Sequence, residues 1–176
     1  MGFRLMLLLA VVGADSLPAV AAVLGGGVVL SHPVPVRYDA RTSARFPYAF
    51  KVFPSKRPNA TTVIVLNGGP GATTMEHAPT AFTADGQPNF PLGALTNERF
   101  HVVYTDQRGT GQNRSPLLGD DAYSTDAIAR DVLSIVKRLE LRDYIVYGAS
   151  YGTVQATKVA RLATELGLPA PPGACA

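Results

Sequence analysis

The sequence contains no tryptophan, one cysteine and three histidines in 176 residues. A single thiol, Cys175, excludes an internal disulfide, so no covalent staple holds the fold. His32, His77 and His101 stand far apart, and no Cys/His spacing fits a structural zinc or haem site. No metal and no cofactor is expected. Charge is also sparse, at 16% of residues, against about 25% in an ordinary globular chain. The basic residues give a net charge of +3 but form no run, which argues against a nucleic-acid partner. With 47% hydrophobic residues, a disordered chain, a coiled coil and a collagen-like repeat are all excluded. The length suffices for one packed core.

Long apolar runs are nearly missing too. The one that stands out, LMLLLAVVGA at residues 5–14, is about half the roughly 20 residues that a membrane-crossing helix needs. Asp15 and Pro18 then interrupt it. Arg4 precedes the run, and Ala19-Val20-Ala21 supplies small residues in A-x-A spacing. This is the layout of a secretory signal peptide over residues 1–21, with cleavage expected after Ala21. A buried N-terminal helix and an uncleaved anchor fit the pattern less well. The mature chain is expected outside the cytoplasm, secreted or extracytoplasmic, with no stable membrane span.

Residues 22–32 include Gly25-Gly26-Gly27 and read as a flexible junction. From there the pattern turns to β. Residues 34–38 suggest a weak strand, and 46–53 (FPYAFKVF) a second, bounded by Pro54 and Pro58. TTVIVL (61–66), FHVVYT (100–105) and YIVY (144–147) are continuous apolar runs of the kind buried on both faces of a parallel sheet. Ser124 or Thr125 can cap a helix carrying Ile128, Val132, Ile135, Val136 and Leu139 on one face. A second helix is expected over 153–166, with Val154, Val159 and Leu162 apolar and Gly167 as its stop. Strands alternating with helices predict an α/β fold with a mostly parallel sheet and flanking helices. The fold domain is expected over 33–167, and the proline-rich residues 168–176 as a disordered tail.

Gly148-Ala149-Ser150-Tyr151-Gly152 carries the chemistry. It fits G-x-S-x-G and lies between a buried strand and a helix, the context this nucleophile elbow requires. Gly148 and Gly152 let strand and helix approach closely. Ser150 would project its hydroxyl at the helix N-terminus, where free N–H groups favour a developing negative charge. The backbone N–H of Tyr151 is one candidate oxyanion donor.

Asn67-Gly68-Gly69-Pro70-Gly71 follows the strand TTVIVL. A glycine-rich loop after an early strand is the expected source of a second donor. Gly69 is nominated, because Pro70 has no N–H, with Gly68 and Gly71 shaping the turn. A phosphate loop is the rival reading, but no Gly-Lys-Ser/Thr follows. The third landmark, Asp106-Gln107-Arg108-Gly109-Thr110-Gly111, follows FHVVYT. Asp106 and Arg108 are expected to pair and brace that turn. It is no dinucleotide fingerprint, since a third glycine and its helix are missing.

These motifs, NGGPG, DQRGTGQNRS (106–115) and GASYGT (148–153), resemble in order and placement the proline iminopeptidase and tripeptidyl aminopeptidase-like family of the α/β-hydrolase fold. The resemblance covers roughly residues 33–167 and implies the N-terminal half of that fold. Asn67 stands where iminopeptidases commonly carry His, which leans toward the secreted branch or an esterase-like relative. The resemblance also implies a Ser-Asp-His triad in that chain order. After Ser150 the sequence offers one acid, Glu165, and no histidine. None of the three histidines sits at the family's base position, and His77 is a poor substitute.

Two functions follow as expectations. One is a secreted serine hydrolase, an aminopeptidase acting on peptides or on small esters and amides through an acyl-enzyme. The chain would then stop before the catalytic Asp and His and be inactive alone. The other is a non-catalytic interaction module that keeps part of the fold. In either case YIVY is expected as an open sheet edge, where the C-terminal half or another chain could pair.

Overall fold

The computed structural model describes residues 22–24, 27–55, 57–75, 99–172 and 174–175. The expected signal peptide and His77 lie outside the described residues. Seven strands form one sheet: β1 (Ala22–Leu24), β2 (Gly27–Pro35), β3 (Arg45–Phe53), β4 (Thr62–Leu66), β5 (His101–Thr105), β6 (Tyr144–Gly148) and β7 (Ala174–Cys175). Two helices, α1 (Thr125–Arg138) and α2 (Tyr151–Glu165), complete the described framework. The order across the sheet is β1-β2-β3-β5-β4-β6-β7. Strands β5, β4, β6 and β7 run parallel to one another, while the pairs β1–β2, β2–β3 and β3–β5 are antiparallel. Among the described residues no helix is long and apolar enough to cross a membrane.

The apolar runs behave as their composition requires. Every residue of β4 and of β5 is buried. Their side chains alternate between two faces. Ile64, Leu66 and Val103 join one cluster, and Val63, Val65, Val102 and Tyr104 the other. Both helices contribute to the first cluster, α1 through Ala129, Val132, Leu133 and Val136, α2 through Ala156, Val159 and Leu162. Each fully buried branched side chain contributes about 1.5–3 kcal/mol. Ser124 caps α1, its hydroxyl accepting from the Ala127 N–H at 3.0 Å. Gly167, at φ 63°, closes the segment after α2, where Leu168 N–H reaches the Ala163 carbonyl at 2.9 Å.

Three expectations need correction. The junction expected over 22–32 is a β-hairpin: β1 and β2 pair with Leu24 opposite Gly27. Val28 and Leu30 pack toward one core cluster and Val29 toward the other, a period-2 alternation that overrides the glycines. The tail is not without structure. Leu168 packs on the core, the Tyr144 hydroxyl donates to the Pro169 carbonyl at 2.7 Å, and residues 174–175 form β7. β6 is therefore not a bare edge, since β7 pairs with Val146 and Tyr147. On α2, Val154 is exposed. The buried stripe of α2 is Gly152, Gln155, Ala156, Val159, Leu162 and Ala163, which sits one position further round.

Candidate active site

The three sequence motifs leave the C-terminal ends of β4, β5 and β6, which are adjacent and parallel. Ligands of open α/β sheets bind at this edge. Leu66 of β4 faces Gly148 of β6 in register, so the two loops emerge side by side.

The turn between β6 and α2 is tight. A Cβ on Gly148 would stand 2.1 Å from the Gly152 carbonyl oxygen, and one on Gly152 would stand 2.6 Å from the Leu66 oxygen. Any side chain there would drive backbone into backbone. Ser150 is held at φ 54°, ψ −121°, a left-handed conformation rare for a residue with a Cβ. Ser150 is exposed, and although it holds the N-cap position of α2, its hydroxyl makes no cap bond. Its carbonyl instead accepts from the Thr153 N–H and hydroxyl, at 2.9 and 2.8 Å. Tyr151 is the first residue of α2, so its N–H has no intrahelical acceptor. The Tyr151 side chain leans away to Thr125, with the two hydroxyl oxygens 3.0 Å apart.

The NGGPG loop lies directly against Ser150. A Cβ on Gly68 would meet the Ser150 Cβ at 3.0 Å and its Oγ at 3.4 Å. Asn67 clamps the loop from within: its amide donates to the Thr73 carbonyl at 2.9 Å, and its oxygen accepts from the Gly68 N–H at 2.8 Å. That leaves Gly69, at φ 106°, to offer the next N–H. The amide of Gln107 donates to the carbonyls of Asn67 and Gly68, both at 3.4 Å, and Gln155 reaches Asn67 at the same distance. In a trans peptide the carbonyl and the following N–H point opposite ways. Holding the Gly68 carbonyl therefore fixes the direction of the Gly69 N–H. Gly71, at φ 98°, ends the turn.

Asp106 and Arg108 do not pair with each other. The Asp106 carboxylate accepts from the N–H groups of Thr74 (2.6 Å), Met75 (3.1 Å) and Gln112 (3.4 Å), and from the Thr74 hydroxyl (3.2 Å). It ties the end of β5 to the chain beyond the NGGPG loop. Arg108 instead meets Asp131 of α1, through Nε and Nη2 at 2.7 Å each. Its other N–H bonds go to the carbonyls of Val36, Ala122 and Pro35. The five bonds engage the full guanidinium fork. Burial pushes the Asp131 carboxyl up, while Arg108 and the Tyr38 hydroxyl pull it back.

Sequence reasoning missed Asp131 and Asn113. Asp131 is an acid inside the apolar stripe of α1, which was the available signal. The Asn113 amide is buried and bonds both the N–H and the carbonyl of Ala49, as well as the Asp106 carbonyl.

Neither described histidine is placed at Ser150. His101 accepts from the Ser55 N–H through Nδ1 at 2.9 Å and donates from Nε2 to the Pro58 carbonyl at 3.2 Å. His32 lies 2.7 Å from the Ser134 hydroxyl through Nε2. The Ser134 proton is directed at the Asp131 carbonyl, so His32 is the donor there. Burial, then the nearby charges of Arg138 and Arg45, lower the His32 pKa to about 4. Glu165 is exposed and pairs with Arg161 one turn away, at 2.6 Å.

A family model described as alpha/beta hydrolase fold matches residues 61–166. A proline iminopeptidase of Neisseria meningitidis is 28% identical over 99 residues, which is 56% of this chain and 27% of that protein. One from Neisseria gonorrhoeae is 27% identical over the same shares. Among solved structures, the proline iminopeptidase of Mycobacterium smegmatis aligns at a TM-score of 0.53 and 24% identity, over 74% of this chain and 39% of its own. The structure of VinJ aligns at a TM-score of 0.57 and 20% identity, over 82% of this chain and 42% of its own. The chain thus spans about a quarter of the curated relatives and about two fifths of these structures.

Proposed function

This chain belongs to the α/β-hydrolase family, and from that membership we propose that it carries the nucleophile half of a serine hydrolase active site, of the aminopeptidase type that releases N-terminal residues from peptides. One observation carries the reading: Ser150, held in a strained backbone conformation with its hydroxyl uncapped, stands against a clamped glycine loop.

The proposed chemistry is acyl transfer. An imidazole takes the proton from Ser150 Oγ as the oxygen bonds to the substrate carbonyl carbon. The carbonyl oxygen becomes an oxyanion, received by the N–H groups of Gly69 and Tyr151. When the tetrahedral adduct collapses, the C–N bond breaks and the amine leaves with that proton. Water then hydrolyses the acyl-enzyme by the same steps. Gly68, Gly71, Gly148 and Gly152 shape the turns, and Asp106 and Arg108 hold the neighbouring loops. Both described histidines are engaged away from Ser150, and the imidazole and its orienting carboxylate are proposed to come from outside the described residues. Export through residues 1–21 is part of the same proposal. It is checked by N-terminal sequencing of the protein recovered outside the cytoplasm, which should begin at Ala22.

Supplied imidazole can replace the missing base for activated substrates. L-prolyl and L-alanyl p-nitrophenyl esters should release nitrophenol faster with this chain plus imidazole than with its Ser150→Ala variant. Release from p-nitrophenyl butyrate alone would favour an esterase. Equal rates for both proteins on every ester would sink the hydrolase reading. A second reading, a binding module without turnover, draws on the engagement of both described histidines elsewhere.

A further inference from the structure

A groove of about 460 Å³ lies between the β2–β3 hairpin and the last turn of α1. That volume falls in the range of small-molecule sites. None of its lining residues belongs to the NGGPG, DQRGTGQNRS or GASYGT segments. His32 ties its two walls together. The Nε2 N–H donates to the Ser134 hydroxyl at 2.7 Å, and the ring packs edge-on against Tyr48 and Phe50. The groove is therefore preformed. Its charge is one-sided. Arg45 stands on the hairpin and Lys137 and Arg138 on the helix, and among the described residues only Glu140 opposes them on the lining. Three cations against one acid leave an excess of two positive charges. His32 registers that field: after burial, the charges of Arg138 and Arg45 are what lower its pKa to about 4.

Cations in the last turn of a helix complement its dipole, which is the ordinary reason for Lys137 and Arg138. Here the carbonyls of Ile135, Val136 and Lys137 already accept from the N–H groups of Leu139, Leu141 and Glu140, at 2.9, 3.0 and 3.2 Å. Arg45 comes from β3, where no helix end calls for it. Its Nη2 donates to the Pro33 carbonyl at 2.7 Å, which holds the guanidinium beside β2 with the rest of its fork unused among the described residues. We propose that this groove binds a small organic phosphate, its dianionic head set between Arg45 and the Lys137–Arg138 pair and its apolar body against Pro33 and Pro35. The excess of two positive charges matches a dianion. Guanidinium forks on opposite walls match phosphate oxygens in geometry as well as in charge. Exposed Pro33 and half-buried Pro35 supply the apolar surface beside them. The proposal stands whether or not Ser150 is a nucleophile.

Phenyl phosphate is the probe, at about pH 7.5, where a phosphate monoester is mostly dianionic. The reporter is the carbon-bound ring proton of His32, followed by NMR and assigned by its absence in His32→Gln. In the full chain that signal should move with added phenyl phosphate and saturate. Arg45→Gln should weaken binding about tenfold, and Arg45→Gln with Lys137→Gln should abolish it. Both side chains are exposed, so the variants should fold, which circular dichroism checks. Arg161→Gln, on α2 and paired with Glu165, should bind as the parent does. Phenol should not bind, and inorganic phosphate should bind more weakly because it leaves Pro33 and Pro35 uncovered. The absence of a saturable shift in the parent would overturn the proposal, as would equal affinity in the parent and the double variant. Equal weakening by Arg161→Gln would show only general charge attraction and overturn it too. So would phenol or inorganic phosphate binding as tightly as phenyl phosphate. Co-sedimentation with phosphatidic acid vesicles, with no shift from dissolved phenyl phosphate, would assign the cations to a membrane surface instead and likewise overturn it.

Discussion

Arg108 and Asp131 face each other through two hydrogen bonds of 2.7 Å, and neither side chain has any solvent exposure. The pair joins the loop after β5 to helix α1, and Arg108 adds bonds to the carbonyls of Pro35, the last residue of β2, and of Val36 just after it. Its ring neighbours are Tyr38 and Phe46, at 5.4 and 5.5 Å. It is the buried charge that fastens the DQRG turn to the core.

Removing one partner strands the other. Asp131→Ala should cost about 3–5 kcal/mol, because Arg108 would remain buried and uncompensated. Urea denaturation reads the loss. The double variant Arg108→Met with Asp131→Leu should recover much of it. A single-variant loss below about 1 kcal/mol would show that water reaches the guanidinium.

The backbone of Ser150 offers a second check. A left-handed residue with a Cβ costs about 1–3 kcal/mol, and glycine relieves it. Ser150→Gly should therefore raise stability by about 1 kcal/mol, after the extra entropy of a glycine in the unfolded chain. Ser150→Ala keeps the Cβ and should leave stability nearly unchanged. If both variants behave alike in thermal melts, the strain is not there.

The glycines of the elbow are predicted to be intolerant for a different reason. Gly148→Ala places a Cβ 2.1 Å from a backbone oxygen that cannot rotate away. The expected cost is about 3 kcal/mol, at the upper end for overpacking. The unfolding midpoint of the variant measures it, and a shift within error of zero would mean that β6 and α2 separate freely.

These cases mark what could be read from the chain. β4, β5 and β6 are legible because continuous branched residues such as Val63-Ile64-Val65 can only be satisfied inside a sheet. The elbow is legible because Gly148 and Gly152 frame Ser150 within a short local pattern. Asp131 is not, because its partner lies 23 positions away and only the tertiary fold brings them together. β2 was hidden by glycines whose local freedom is overruled by the packing of Val28, Val29 and Leu30. β7 was hidden by prolines that permit a return to β6 without announcing it.

His32 gives a pH prediction. Its folded pKa is about 4, lowered first by burial and then by Arg138 and Arg45, against 6.5 when unexposed to them. Between these values the unfolded chain binds more protons than the folded one, so stability falls as pH falls through that window. His101 is shifted in the same direction by burial. The contribution of His32 is isolated by His32→Gln, which removes the titration. The stability gap between the parent chain and His32→Gln should narrow from pH 7.5 to pH 4.5 in urea melts. A gap independent of pH would contradict a buried neutral imidazole.

Mass spectrometry of the chain treated with a fluorophosphonate and increasing imidazole tests the nucleophile assignment most directly. If Ser150 is the nucleophile and lacks only its base, one adduct should appear on the peptide containing Ser150. Its rate should rise with imidazole, and Ser150→Ala should stay unlabelled. Labelling of Ser150→Ala at the parent rate, or no adduct on Ser150 at any imidazole concentration, would contradict it.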